Sequence, residues 1–253
     1  MKPLGPIPAG FIADANGELS IGGQSAAALA SGGTPLFVYD AQRVAAKVAC
    51  FRAAFPGIAL HYAVKANPYA PLLQAMAKMV DGFDVASAGE IGQVAGLGRP
   101  ISFAGPGKSD AAIEAALAAD VTLNLESEAE ADRALDIARR LGRTPSVAVR
   151  VNPPFGLKGA GMKMGGHGSP FGVDHDRVAA LVQRLVAAGA NWTGLHIYAG
   201  SQSLSAEALI ELQRATIELA GTIAQEAGHA PRQINLGGGF GIPYFAKDEP
   251  LDI

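Results

Sequence analysis

The chain has 253 residues, enough to bury the core of one large domain or of two small ones. Hydrophobic residues make up 49% of it and charged residues 17%, a balance that argues against a disordered chain. The formal net charge of −3 and the lack of a basic run argue against nucleic acid or an anionic membrane as partner, so a small molecule is expected.

The cytoplasm is the expected compartment. A single cysteine, Cys50, leaves no internal disulfide, and the opening MKPLGPIPAGF lacks the basic and apolar segments of a signal peptide. No apolar stretch reaches the roughly 18 residues that suggest a spanning helix. We therefore expect a soluble protein with no membrane partner.

The first 56 residues predict one strand, LFVYD (36–40), followed by one helix, AQRVAAKVACFRAAF. From about residue 57, short β-branched runs alternate with alanine-rich segments of helical spacing, which is typical of a parallel sheet covered by helices. Seven strands are predicted there: IALHYAVK (58–65), GFDVA (82–86), ISFAG (101–105), VTLNL (121–125), SVAVRV (146–151), GLHIYA (194–199) and QINLGG (233–238).

Helix starts are predicted at Ser109, Ser127 and Asp174, and Glu130 completes a capping box with Ser127. The segment 153–172 holds seven glycines and has no periodicity, so it is predicted to be a long loop. Such a loop either covers a site or only links two elements. The whole pattern predicts an α/β fold of the β/α-barrel type.

Polar residues stand near the ends of the predicted strands, where a β/α barrel builds its active site. They are Lys65, Asp84, Glu126, Arg150, Asn152, His196, Tyr198 and Gly237 to Gly239. The apolar neighbours of Lys65 predict partial desolvation, which favours the neutral amine needed for Schiff-base chemistry. The alternative is a lysine that simply reaches water at the end of a strand.

Two segments offer donors for a phosphate group. The run LGGGFG (236–241) exposes backbone N–H groups without side-chain bulk, and Gly200 with Ser201 adds a hydroxyl after the preceding strand. Neither segment matches a P-loop or a dinucleotide fingerprint. An ordinary turn is the alternative for the glycine run.

Five segments, in order, carry a resemblance to a known family: HYAVKANP (61–68), GFDVASAGEI (82–91), AVRVNP (148–153), GLHIYAGSQ (194–202) and NLGGGFG (235–241). Together they resemble the barrel domain of the fold-type III pyridoxal-phosphate decarboxylases, the group of diaminopimelate, ornithine and arginine decarboxylases. The resemblance runs from about Pro35 to Tyr244. It implies a (β/α)8 barrel of the alanine racemase-like kind, pyridoxal 5'-phosphate as cofactor, and a homodimer.

The resemblance also implies roles for single residues. Lys65 would hold the cofactor as a Schiff base, with the acidic residues Asp84 and Glu90 near the cofactor and this lysine. Arg150 would lie near the phenolic oxygen of the cofactor. A helix-start carboxylate is the alternative for Glu90, and a structural ion pair is the alternative for Arg150.

Ser201 and Gly237, Gly238 and Gly239 would form the phosphate cradle. Tyr198 stands where better-known members carry a histidine stacked on the pyridine ring, which makes the reaction subtype uncertain. His196, two residues earlier, is either a cofactor-side residue or a structural histidine with its hydrogen bonds satisfied. No metal is expected.

The chain resembles about the first 60% of a family member. Residues 1–56 are expected to be an N-terminal segment whose strand joins a C-terminal β domain, and 57–253 an incomplete barrel before its eighth strand. We therefore expect little activity from these residues alone. The stretch GMKMGG resembles a subgroup associated with exosortase gene clusters.

The implied reaction is decarboxylation of diaminopimelate or a basic amino acid. A racemase on the same barrel and a non-catalytic regulatory homologue are the alternatives.

Overall fold

A parallel sheet forms the centre of the computed structural model, which describes residues 11–13, 15–156, 162–163, 169–245 and 247–253. Seven strands pair in the order in which they occur along the chain. They are β1 (His61–Ala63), β2 (Gly82–Val85), β3 (Ile101–Phe103), β4 (Thr122–Leu125), β5 (Ser146–Asn152), β6 (Asn191–Ile197) and β7 (Gln233–Asn235). The predicted α/β fold and all seven predicted barrel strands are thus confirmed.

Helices follow the strands. They are α1 (Ala41–Ala54), α2 (Ala70–Met76), α3 (Ala88–Val94), α4 (Asp110–Ala118), α5 (Glu128–Arg140), α6 (His175–Ala187) and α7 (Ala206–Ala227). Four of them begin at a serine whose hydroxyl accepts a hydrogen bond from the backbone N–H three residues later: Ser87, Ser109, Ser127 and Ser205. These caps satisfy donors that the first turn of a helix leaves free.

Two predicted caps differ in detail from the structure. Helix α6 does begin after Asp174, but the Asp174 side chain makes no capping bond and instead accepts a hydrogen bond from Asn152 Nδ2 at 2.9 Å. In the capping box, the Glu130 carboxylate bonds to the backbone N–H of Glu126, not to that of Ser127. In both cases a neighbouring strand end competes for the carboxylate.

The core lies between the sheet and its helices. Strand residues such as Phe83, Phe103, Leu123 and Leu195 are almost completely buried. Alanines on the inner faces of the helices let the backbones approach the sheet closely. Burial on both faces explains why the strand sequences are near-continuous apolar runs.

The strand predicted at 36–40 is not formed. Leu36, Phe37 and Tyr39 are exposed, Phe37 by 85%, and these residues pair with no strand among those the structure describes. A strand requires a neighbour for its backbone groups, so apolar alternation alone does not make one. The predicted helix is confirmed as α1. The assignment of 36–40 to a further β domain stays a prediction.

Short elements surround the sheet. The strands Ile12–Ala13, Leu19–Ile21 and Gln24–Ser25 form a small antiparallel sheet before the helix Ala26–Leu29. In the predicted loop 153–172, Met162–Lys163 pairs with Gly200–Ser201, while 157–161 and 164–168, and with them most of GMKMGG, lie outside the described residues. Val173–Asp174 pairs with β5. None of the helices described is long and apolar enough to cross a membrane.

Gly194 lies where β6 approaches β7 most closely. A Cβ atom there would overlap the backbone carbonyl oxygen of Gln233, its partner on β7. We expect Gly194→Ala to lower the free energy of unfolding by about 2 kcal/mol, because one of the two strands must shift. Urea denaturation measures this change.

Gly221→Ala is the matched control. Gly221 lies within α7 with nothing within 4 Å of a built Cβ, so alanine there should stabilise the protein by about 0.5–1 kcal/mol. A Gly194→Ala protein as stable as the wild type would contradict the close contact of β6 and β7.

Candidate active site

Lys65 follows β1 in a single 3₁₀ turn, Val64–Ala66. The Val64 side chain is fully buried, whereas Lys65 is exposed. The predicted desolvation of Lys65 is therefore wrong for this structure: the strand ends at Ala63, two residues earlier than predicted, and leaves the lysine exposed. The Lys65 charge still contributes to lowering the pKa of His196, so the amine lies close enough to act on the polar residues at the strand ends.

Asp84 is held from two sides. His61 Nδ1 on β1 lies 3.1 Å from Asp84 Oδ1, and Asn235 Nδ2 on β7 donates to Asp84 Oδ2 at 3.1 Å. Asp84 itself lies on β2, next to β1 at one end of the strand order, and β7 is the other end. The bond between Asp84 and Asn235 therefore spans the concave side of the sheet. Gly82 makes room for the imidazole, since a Cβ there would lie 2.6 Å from the His61 ring.

His61 and Asp84 each favour the ionised form of the other. The hydrogen bond that His61 donates to Asp84 raises the pKa of His61 against the opposing effect of burial. Burial alone would raise the pKa of Asp84, but the hydrogen bond and charge of His61, helped by His196 and Asn235, hold this pKa below its ordinary value. Asp84 is therefore a carboxylate at neutral pH.

Arg150 forms a buried ion pair. Its Nη1 lies 3.0 and 3.2 Å from the two oxygens of Glu126, and the side chains are only 8% and 2% exposed. Glu126 also accepts a hydrogen bond from the backbone N–H of Gly105, and the guanidinium lies 4.8 Å from the centre of the Phe171 ring. The predicted alternative for Arg150, a structural ion pair, is thus present, and its role near a cofactor stays a prediction.

A second ion pair lies behind the first. Lys108 Nζ contacts Glu130 Oε1 at 2.7 Å and donates to the backbone oxygens of Gly105 and Asn124, each at 2.8 Å. Burial raises the pKa of Glu130 in spite of Lys108. Both pairs bond to Gly105, so they fix the loop that follows β3.

His196 lies between Arg150 and Asn235 in the strand register. It is 9% exposed, and among the residues the structure describes its Nδ1 has no hydrogen-bond partner. Burial first, and the charge of Arg150 second, lower the pKa of His196 to about 4. The prediction of a structural histidine with all its bonds satisfied is therefore wrong for this buried nitrogen.

Glu90 begins α3 as a capping residue. Its carboxylate accepts a hydrogen bond from the backbone N–H of Ala86 at 2.7 Å, and its own N–H donates to Ser87 Oγ at 3.2 Å. The alternative predicted for Glu90, a carboxylate at a helix start, describes this geometry. A place near the cofactor stays a prediction.

The glycine run lies beside the turn that follows β6. Gly239 O accepts a hydrogen bond from Ser203 N, and Gly241 N donates to Ser203 O, both at 2.8 Å. Gly237 has a φ of +71° and packs against the Tyr198 ring, so a side chain at this position would clash with that ring. At Gly238 a Cβ would meet nothing within 4 Å, so the backbone there borders open space.

These features fit pyridoxal phosphate. The open space at Gly238, beside the turn that carries Ser201, suits a phosphate, and the unpartnered His196 nitrogen together with the Asp84 carboxylate suits a polar ring. Lys65 supplies an accessible amine. The described residues contain no group of three or more His, Cys, Asp or Glu side chains suited to a metal ion.

His61, Glu126 and Asn235 belong to this cluster although the sequence analysis gave them no role in the site. His61 precedes Lys65 by four residues in the predicted strand 58–65, and Asn235 directly precedes the glycine run, so alternation along the predicted strands could have indicated both. Glu126 was noted only as a strand-end residue. Its pairing with Arg150 joins neighbouring strands and has no local sequence signal.

Comparison with known proteins identifies close structural and sequence relatives. Residues 41–253 match the family described as pyridoxal-dependent decarboxylase, pyridoxal binding domain. The chain is 34% identical over 230 residues to a diaminopimelate decarboxylase of Neisseria meningitidis, covering 86% of this chain and 55% of that protein. It is 32% identical over 226 residues to an L-glutamyl-[BtrI acyl-carrier protein] decarboxylase of Niallia circulans, covering 87% and 53%.

Solved structures agree. AQ1208 from Aquifex aeolicus superposes with a TM-score of 0.81 at 30% identity, covering 95% of this chain and 58% of that one. Diaminopimelate decarboxylase from Helicobacter pylori complexed with L-lysine gives 0.77 at 29% identity, covering 85% and 57%. The chain thus spans little more than half the length of these relatives.

The two histidines of the cluster should titrate in opposite directions. In an NMR titration of the folded protein we expect the pKa of His61 above the ordinary 6.5 and that of His196 near 4. Unfolded His196 binds its proton near pH 6.5 and folded His196 only near pH 4. Stability from this group is therefore complete above pH 6.5 and falls by about 3 kcal/mol as the pH drops to 4.

His196→Gln identifies the resonance and removes this part of the pH dependence of unfolding. The contribution of His61 has the opposite sign, since it is complete below pH 6.5 and is lost as the pH rises through the raised pKa of the folded protein. A His196 that titrates at its ordinary pKa would contradict the burial of its ring.

Proposed function

This chain belongs to the pyridoxal-dependent decarboxylases through their pyridoxal binding domain, and on that premise we propose that it binds pyridoxal phosphate through Lys65 and serves amino-acid decarboxylation. The observation that carries the proposal is the convergence of Lys65, Asp84, Arg150, His196 and the glycine run at one edge of the sheet. Such an edge is where barrels of this type hold their ligands.

Each residue offers a distinct contact. The Lys65 amine would bind the cofactor covalently, and Ser201 with the backbone of Gly237, Gly238 and Gly239 would surround its phosphate. The ionised carboxylate of Asp84 would face the positively charged part of the cofactor's pyridine ring. When bound, pyridoxal phosphate accepts the electron pair that a departing carboxylate leaves behind.

The surrounding side chains set the electrostatics. Glu126 neutralises most of the Arg150 charge, and the low pKa of His196 keeps its imidazole neutral beside this arginine. Neutral Nδ1 can then accept or donate one hydrogen bond without adding a charge. Tyr198, packed on Gly237, offers an aromatic face where better-known relatives have a histidine.

The substrate class follows from the relatives and stays part of the proposal. Those compared include diaminopimelate decarboxylases, and one solved relative is a lysine decarboxylase from Selenomonas ruminantium. We infer a diaminopimelate-like or basic amino acid as substrate. The panel to assay is therefore diaminopimelate, lysine, ornithine and arginine.

The larger assembly is also a proposal. The division at residues 56 and 57 is part of the proposal, and the exposed side chains of Leu36, Phe37 and Tyr39 support pairing of 36–40 in a further β domain. A homodimer and a cytoplasmic location complete the proposal. The strand edges at β1 and β7 are where further chain would pair.

Borohydride reduction tests the proposed cofactor link. The protein is incubated with pyridoxal phosphate, reduced to fix any imine, digested and mapped. We expect the label on the peptide that contains Lys65, and we expect Lys65→Arg to lose the label, because arginine cannot form the imine. Release of carbon dioxide from the amino-acid panel is measured on protein extended by the proposed eighth strand and β domain, since residues 1–253 alone are expected to have little activity. Lys78→Arg, which changes an exposed lysine away from the strand ends, should behave as the wild type.

Labelling of a different lysine, or the absence of label in folded protein, would refute the role of Lys65. In the extended protein, label on Lys65 with no carbon dioxide from any of the four amino acids would refute the substrate class but leave cofactor binding intact. Interconversion of amino-acid enantiomers would indicate the racemase alternative.

A further inference from the structure

Asn235 connects two parts of the candidate site with one side chain. Its Nδ2 donates to Asp84 Oδ2 at 3.1 Å, and its Oδ1 accepts from the backbone N–H of Gly237 at 2.8 Å. The first bond reaches a residue 151 positions earlier in the chain, and the second closes the turn that starts the glycine run. The ring-side acid and the phosphate-side loop are therefore two hydrogen bonds apart.

An amide is the group that this position requires. The Asp84 carboxylate only accepts hydrogen bonds, and the Gly237 N–H only donates, so the residue between them must donate to one and accept from the other. The same two partners fix which end of the amide is oxygen and which is nitrogen. Aspartate could still accept from Gly237, but it would place a second carboxylate beside Asp84.

Asp84 itself has little freedom. His61 holds its Oδ1, and Asn235 holds its Oδ2. The His61 and Asn235 strands lie at opposite ends of the strand order, so no backbone pairing between β1 and β7 fixes this distance in the described residues. Instead, the hydrogen bonds of Asp84 with His61 and with Asn235 connect the two strands.

We propose that Asn235 is a positioning residue that sets Asp84 and the Gly237 turn relative to each other, so that ring and phosphate contacts form as one unit. This inference rests on the proposed function, because it concerns how the chain would hold pyridoxal phosphate. Asn235 contacts the cofactor only through its two partners. Its removal should therefore weaken both kinds of contact.

Two ligands separate the two effects. Pyridoxal phosphate uses ring and phosphate contacts, whereas pyridoxal lacks the phosphate. Dissociation constants are measured by equilibrium dialysis. For Asn235→Ala we expect the affinity for pyridoxal phosphate to fall about tenfold or more and that for pyridoxal about threefold, in keeping with the loss of two and of one hydrogen bond.

A serine variant keeps one of the two bonds. The short hydroxyl of Asn235→Ser can still accept from Gly237 N–H in the same kind of turn, but it cannot reach Asp84. We expect both affinities to fall about threefold, with their ratio unchanged within about twofold. In an Asp84→Ala background, Asn235→Ala should no longer affect pyridoxal, because its effect on the ring passes through Asp84.

Asn191→Ala is the matched control. Asn191 lies at the amino end of β6, where its amide bonds to Ser146 and Arg232, so its loss should leave both affinities as in the wild type. If Asn235→Ala does not fold, the serine variant decides alone. For Asn235→Ser, equal losses of affinity for both ligands support the proposal, and unchanged affinities refute it.

Other patterns would also refute the inference. If Asn235→Ala binds both ligands with wild-type affinity, the two hydrogen bonds of Asn235 do not position the site. In Asn235→Ala, a loss for pyridoxal phosphate alone would make Asn235 a residue of the turn, and equal losses for the two ligands would make it a residue of the ring side. Wild-type protein that binds no pyridoxal phosphate would overturn the proposed function and this inference together.

Discussion

Parallel hydrogen bonding between the strands determines where every polar group of the site lies. Each strand ends at the same edge of the sheet, so residues more than a hundred positions apart become neighbours there. The register places His196 beside Arg150 on one side and beside Asn235 on the other. It also pairs β1 with β2, which brings His61 to Asp84. A shift of one residue in any of these strands would turn its polar side chains to the helical face.

Charge is accommodated at this edge by pairing. Arg150 and Lys108 are buried cations, and each lies against a buried carboxylate, Glu126 or Glu130. Removing one partner of such a pair typically costs about 3–5 kcal/mol, because the other charge is left buried alone. The pairs therefore serve less as net stabilisation than as a means of fixing the Gly105 loop and the guanidinium. Burial and the charge of Arg150 keep His196 neutral, and Asp84 is held by His61 and Asn235 and not by a buried cation.

Much of the fold could be predicted from the sequence, because its signals are local. Apolar runs of strand length, alanine-rich helices and serine caps each depend on residues within a few positions, and all seven barrel strands were found from them. The prediction of a strand at 36–40 was wrong because a strand also needs a neighbouring strand to pair with, and no local pattern indicates one. Lys65 was predicted to close the first strand, but it lies in a turn that begins at Val64, just after that strand, and the pattern does not reveal this turn.

The site was predictable in part for the same reason. Strand-end residues such as Asp84, Arg150 and His196 could be selected by position alone, and the motif order indicated the family. What the sequence could not supply were the pairings between strands: His61 and Asn235 with Asp84, and Glu126 with Arg150. The first and last of these contacts, His61–Asp84 and Glu126–Arg150, depend on the register of neighbouring strands. The Asn235–Asp84 contact depends on how far the sheet curves, and curvature is a property of all seven strands together.

The most direct test of this account is a crystal structure of the protein grown with pyridoxal phosphate. It should show density continuous from Lys65 Nζ, with the phosphate between Ser201 and the backbone at Gly238 and with Asp84 still bonded to Asn235. A ring bound to another lysine, or a phosphate held away from the glycine run, would contradict it.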